Sequence, residues 1–346
     1  MEKSIFFIPL EKKETSYSDV LKRVTDLVLL CEENNFESAF FGEHLADQYE
    51  KISSSLMMIA SLANITNRIK LGSMTANLTF SNPAHQASLI STVDNLVKGR
   101  LLLGIGCGSN QCDVEAVGNL GKDNYKMMYD YLNVIIELFK SKIPQKIKYG
   151  EVEVNTQETG SENEGLGIFD GLYKFRQDIE IMMPALGLNS MNVKNCAING
   201  WSILSTNFCE ENVLKNHILE YKENFKGKNT KEKIRISRFI FVCEKESDAE
   251  KYLFKEDSPY LFMIDVILKK LKKIKKDYIF GDNSSDPKEI ARNIIIYGTP
   301  DIVSEKIKSL EKDIGEFKSL SYASIPRNNL QIYDNSLELF AKNVTF

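Results

Sequence analysis

Short apolar runs alternate with amphipathic segments along this chain, at a spacing that few folds accept. SIFFI (4–8) reads as a strand. Behind Ser18, a cap residue, Val20, Val24, Leu27, Val28 and Cys31 recur at helical spacing, and Asn34-Asn35 can end that helix. ESAFF (37–41) is again strand-like, and SSSLMMIASLANITN (53–67) opens with cap residues and sets Leu56, Ile59, Ala60 and Ala63 on one helical face. IKLGSM (69–74) is a strand. NPAHQASLISTVDNLVKG (82–99) starts with a cap and a first-turn proline and stops at glycine. RLLLGIG (100–106) is a strand, and 122–140 a helix. Each strand-then-helix unit has the length of a right-handed crossover between parallel strands.

The rhythm continues more loosely. IEIMMPAL (179–186), WSILS (201–205), IRISRFIFVC (234–243) and FKSLSYASI (317–325) read as strands. Residues 190–199, 210–225 and 299–314 read as helices. Seven or eight such units imply an α/β protein of the (β/α)8 TIM-barrel type. A doubly wound parallel sheet is the alternative. Residues 145–178 and 255–297 break the rhythm and read as insertions, one after the fourth strand and one in the C-terminal part. A single domain over 1–346 is expected. In VILKKLKKIKKDY the lysines read as a solvated helix face.

Composition narrows the function. A net charge of −4 over 346 residues gives no electrostatic reason to expect nucleic acid or an anionic membrane as partner. No run approaches membrane-spanning length, and the N-terminal apolar run is too short for an export signal. The six cysteines are scattered without CxxC spacing, so they read as reduced thiols of a cytoplasmic protein, and no metal site is expected.

The candidate site starts at FFGEHL (40–45). It lies where the second strand ends, and barrel enzymes carry their catalytic groups on the loops leaving strand C-termini. Gly42 permits a turn, and Glu43 and His44 follow it. An imidazole there suits proton handling, although a histidine bonded to a loop carbonyl explains the same residue. GIGCGS (104–109) is not a dinucleotide fingerprint, because Ser109 stands where the third glycine belongs. It remains a small-residue loop after the fourth strand, permitting close approach of a flat ring or phosphate, or simply a tight turn. His85 and His217 lie in predicted helices and read as structural.

The run FFGEHL…SLMMIASLANITNRIKLGSMTANLTFSNPAHQASLISTVDNLVKGRLLLGIGCGS resembles the bacterial luciferase-like flavin monooxygenases, nearest the limonene monooxygenase-like branch. The features are the EH pair, RIKLGS leading to a loop with NP, a helix ending in GR, and LLLGIG leading to Asp113 and Gly118. YGTPDIVSEKIKSL (297–310) echoes the family later. The resemblance implies a (β/α)8 barrel enzyme. It would bind reduced FMN supplied by a separate flavin reductase. Oxygen would then add to the flavin, giving a hydroperoxide that oxygenates a small organic substrate. It also implies a homodimer, or a heterodimer with a related subunit. His44 and Asp113 match the catalytic pair, with Glu43 beside them. Met74 and Thr75 would lie against the flavin ring, with Asn77 at the ring edge or substrate. Gly106, Cys107, Gly108, Tyr125, Asn189 and Asn192 fall at the cofactor-loop and phosphate positions. There the family carries arginines and Ser/Thr, and this chain has Cys107, Tyr125, Asn189 and Asn192. That departure leaves two alternatives: a degenerate flavin-binding homologue or partner subunit, and a deazaflavin oxidoreductase.

Overall fold

The computed structural model describes residues 1–8, 11, 13–140, 146–155, 178–273, 286–324 and 331–346, with side chains of 271–273 excepted. Its strands are β1 (Glu2–Phe7), β2 (Ser38–Phe41), β3 (Lys70–Asn77), β4 (Leu101–Gly106), β5 (Lys146–Tyr149), β6 (Val152–Asn155), β7 (Glu180–Ala185), β8 (Ser202–Ser205), β9 (Ile234–Val242), β10 (Ile295–Gly298) and β11 (Ser319–Ser324). Eight of them, in the order β11-β1-β2-β3-β4-β7-β8-β9, run parallel, and β9 pairs with β11 to close the ring. The barrel expected from the rhythm is therefore formed, and its strands are the eight apolar runs read from the sequence.

Helices α1 (Tyr17–Glu33), α2 (Ser55–Leu62), α3 (Pro83–Leu96), α4 (Gln111–Ala116), α5 (Asn124–Lys140), α6 (Met191–Asn199), α7 (Glu211–Asn224), α8 (Glu246–Leu253), α9 (Pro259–Lys273), α10 (Pro287–Ile294), α11 (Pro300–Ile314) and α12 (Gln331–Asn343) accompany it. One cap differs from expectation. Ser16, not Ser18, caps α1, its hydroxyl accepting from Asp19 N at 3.1 Å, because the helix already begins at Tyr17. Both irregular stretches contain structure. Part of 145–178 is the antiparallel β5–β6 hairpin, with 156–177 outside the described residues. Within 255–297, α9 and α10 form. β10 then pairs with Phe239–Val242, the half of β9 that lies beyond its pairing with β11.

Strand periodicity sorts the core into two layers. Phe40, Met74, Leu102, Met182 and Leu204 pack together as one cluster. Their chain neighbours Ala39, Phe41, Leu101, Leu103, Met183 and Ile203 belong to a second cluster shared with the helices. Near the strand starts the layer becomes ionic. Arg235, wholly buried on β9, places Nη1 2.6 Å from Glu180 and Nη2 3.6 Å from Glu37.

The β3–β4 contact is unusually close. A β-carbon on Gly104 would lie 2.0 Å from the Ser73 carbonyl oxygen, where the register between the strands shifts. Gly104→Ala is expected to force the two strands apart and cost about 1–3 kcal/mol, read as a fall in urea midpoint.

Candidate active site

Three loops leave the C-terminal ends of β2, β3 and β4, and one buried network ties them together. Glu43 Oε2 accepts from Ser55 N and Oγ, both at 3.0 Å, at the start of α2. Its Oε1 accepts from Asn77 N at 3.0 Å. Burial pushes the Glu43 carboxyl above its ordinary range, against the opposing pull of those donors. Asn77 Oδ1 in turn accepts from Thr75 Oγ1 at 3.0 Å and Gly108 N at 3.1 Å. A β-carbon on Gly106 would meet Thr75 Oγ1 at 2.3 Å, so glycine is what lets β4 pass this knot. The Met74–Thr75 peptide bond is cis.

On this frame stands His44. Its Nδ1 lies 2.9 Å from Asp113 Oδ2, on the first turn of α4, while Asp113 Oδ1 accepts from Ala46 N at 2.7 Å. Its Nε2 lies 3.4 Å from Glu50 Oε2. Glu50 Oε1 is 3.2 Å from Lys270 Nζ, and Lys270 is 2.7 Å from Asp47 Oδ2. The carboxylates are buried, whereas the imidazole keeps 22% exposure, so a ligand can reach it.

Burial opposes charge on the imidazole, but Glu50 and the Asp113 hydrogen bond outweigh it and raise His44 from 6.5 to about 10. Burial likewise works against Glu50, yet His44 and Lys270 bring it from 4.5 to about 2. A histidine with a raised folded value binds its proton more tightly folded than unfolded. Its stabilisation is complete below pH 6.5 and is lost as pH rises toward about 10. The melting temperature of the cofactor-free protein is expected to decline across that interval, and His44→Asn to remove that part of the decline.

The structure brings the expected residues into separate groups. His44 meets Asp113. Glu43, Thr75, Asn77 and Gly108 share the knot, so the side chain of Asn77 is engaged by protein partners. Met74 packs in the inner layer at 5% exposure. Cys107 is half-buried, and its carbonyl accepts from Thr79 Oγ1 at 3.0 Å. Tyr125 and Asn192, far apart in sequence, meet: the phenol donates to Asn192 Oδ1 at 2.9 Å, and Asn192 Nδ2 donates to Pro184 O. Asn189 is exposed at a positive φ of 54°, its N–H donating to Asn216. His217 is buried and binds Gly187 O and Ser205 Oγ, so it pins the turn before α6; burial holds it neutral-leaning, below its ordinary value. His85 is exposed on α3.

Asp47, Glu50 and Lys270 were not singled out from sequence. Two carboxylates within six residues of His44 on one predicted rim are a signal that could have been used. Lys270 carries no such signal. The solvated-face reading suits Lys269, which pairs with Asp265 on the same helix, but it is corrected for Lys270, which tertiary packing draws into the site. The edge-to-face contact of Tyr49 with Phe262 seats α9 against the same loop.

A closed parallel barrel with an imidazole and carboxylates on the loops after its strands is the architecture of a barrel enzyme with its site at the C-terminal mouth. The family model for luciferase-like monooxygenases matches residues 1–315, and the chain belongs to that family. The 2,5-diketocamphane 1,2-monooxygenase 1 of Pseudomonas putida is 23% identical over 340 residues, covering 92% of this chain and 91% of that protein. The limonene 1,2-monooxygenase of Rhodococcus erythropolis is 27% identical over 133 residues, 38% of this chain and 34% of that one. The fold is shared with the oxygenating constituent of 3,6-diketocamphane monooxygenase from Pseudomonas putida, solved in complex with FMN. That match has a TM-score of 0.83 at 20% identity and covers 99% of this chain and 97% of that one. Among the described residues no helix is long and apolar enough to cross a membrane.

Proposed function

We propose that this protein is an oxygenase that uses reduced FMN and O2 to oxygenate a small, apolar organic substrate, with a separate reductase supplying the flavin. The observation carrying this reading is His44 at the barrel mouth, partly exposed and flanked by carboxylates on both ring nitrogens. When bound, reduced flavin would supply the activation of dioxygen. The chain's share is to bind, orient, exclude water and hold a proton. Asp113 fixes the ring through Nδ1, and His44 then offers a charged N–H donor at neutral pH. Ile8, Phe208, Phe239, Phe241 and Ala323 from the barrel pack with Tyr260 and Ile264 of α9 in one apolar cluster. That buried cluster seats α9 against β9 and β11 and keeps water from that part of the barrel.

The residues fit a flavin unevenly. His44, held by the buried Asp113, and Thr75 supply polar groups suited to a ring edge. At the phosphate positions stand the neutral residues Tyr125, Asn189 and Asn192; the Tyr125 hydroxyl and the Asn192 amide already donate to Asn192 Oδ1 and Pro184 O, so the donors offered are the backbone N–H groups in the first turn of α6, which no side chain caps. Backbone N–H groups at a helix start can bind phosphate without a cation. Reduced FMN is expected to bind with weaker salt dependence than a site built on arginines would show.

An anaerobic titration with reduced FMN, followed by admission of oxygen, tests the reading. Saturable binding and then oxygen uptake support it. Absence of binding at high-micromolar flavin would sink it. Binding of a deazaflavin with no oxygen uptake would favour a hydride-transfer enzyme on the same fold. Oxygenation by the purified chain alone would exclude a partner-dependent or degenerate subunit, and light scattering would report whether it pairs with itself. We read 1–346 as one domain carrying two insertions.

A further inference from the structure

His44 is held from two sides, and the two sides differ in kind. The Asp113 contact at 2.9 Å is a well-formed hydrogen bond, and that carboxylate is shared with Ala46 N. The Glu50 contact at 3.4 Å is longer than a good hydrogen bond and acts mainly through charge. Glu50 is itself fixed, its other oxygen lying 3.2 Å from Lys270. Lys270 also spans to Asp47 at 2.7 Å, which allows two like charges to sit side by side in the loop after β2. Asp47 is further tied by Asn110 Nδ2 at 3.2 Å and by the N–H groups of Tyr49 and Glu50.

We propose that Glu50 is a positioning residue that keeps the imidazole of His44 charged and oriented, with Lys270 anchoring it from α9. This rests on reading His44 as the proton-handling group. The charged groups facing the ring are Asp113 from α4, Glu43, Asp47 and Glu50 from its own loop, and Lys270 from α9. Lys270 opposes the imidazolium, and the carboxylates outnumber the two cations. Because the Nε2 contact is the looser one, a bound ligand can take that N–H while Asp113 keeps the ring in place. Glu50 therefore sets the charge without blocking the donor.

The test is a pH titration of the histidine ring carbons by NMR on the whole, flavin-free protein, with His85 and His217 as internal references for the fold. Wild-type His44 is expected to stay protonated well above neutral pH. Glu50→Gln is expected to lower its midpoint by about one pH unit or more, a tenfold loss of proton affinity, while the ring signals of the buried His217 stay in place. If Gln does not fold, Glu50→Asp withdraws the charge by one methylene and is expected to lower the midpoint by a smaller step. A midpoint unmoved in the Glu50 variant that folds, with only Asp113→Asn lowering it, would overturn the proposal. If the midpoint falls but the pH profile of oxygenation stays put, the role of Glu50 stands and the reading of His44 as proton handler fails.

Discussion

Replacing His44 with alanine is expected to lower oxygenation by about 10²- to 10⁴-fold while reduced FMN still binds. That is the usual contribution of a positioned acid or base. Two features of the site support the split. The imidazole is partly exposed while Asp113 and Glu50, which flank it, are buried, so of these three it is the member a ligand meets. The knot of Glu43, Thr75, Asn77 and Gly108 that shapes the three loops does not include His44, so the frame survives its removal. Alanine also leaves the buried Asp113 without its counter-charge, whereas Glu50 keeps Lys270, and some loss of melting temperature is expected with the loss of activity. The check is paired: product formed per flavin oxidised, and flavin affinity by anaerobic titration. Loss of both together would mean that His44 builds the pocket and does not act within it.

The second large effect is expected at the opposite end of the barrel. Arg235 lies wholly buried between Glu180 and Glu37, at the strand starts. Arg235→Met removes the cation, leaving Glu180, 23% exposed, with Ser202 and leaving Glu37 with Lys70 at 3.0 Å; breaking a fully buried pair costs about 3–5 kcal/mol, and the lower end of that range is expected here. Burial works against Glu180, but Arg235 and Ser202 hold its carboxyl at about 2, below its ordinary 4.5. A depressed carboxyl contributes stability above pH 4.5 and loses it as pH falls through about 2. The deficit of the variant, measured by urea denaturation, should therefore be largest above pH 4.5 and shrink on acidification. Glu180→Gln added to Arg235→Met should recover part of it. A deficit below 1 kcal/mol would contradict the view that this pair locks the bottom of the barrel.

The sequence disclosed the barrel because its strands are doubly covered. A parallel strand buried on both sides is mostly apolar, so a run such as LLLGIG announces itself, and IRISRFIFV does so through its isoleucines, phenylalanines and valine although Arg235 and Arg238 interrupt it. β10 escaped notice because it is only four residues long and adds to the free half of β9 beyond the ring. The start of α1 is not fixed by composition, because Ser16 and Ser18 are equally able to cap and only backbone geometry selects Ser16.

Within the site, His44 was legible because the rhythm places it on the loop after the second strand, and Asp113, on the first turn of α4 beyond the fourth, was legible through the resemblance. Their meeting at 2.9 Å is a consequence of barrel closure. Lys270 sits 220 residues from Glu50 and reaches it through the packing of α9, which no local pattern encodes. Tyr125 and Asn192 were singled out through the resemblance. Their mutual hydrogen bond shows how neutral side chains satisfy one another at a place where a cation was expected.

The most direct test is a crystal of this protein soaked with FMN. The account predicts density for a flavin at the C-terminal mouth, its ring beside Thr75 and within hydrogen-bonding reach of His44, and its phosphate toward Tyr125 and the start of α6. A flavin bound elsewhere, or a mouth that admits none at saturating FMN, would contradict it.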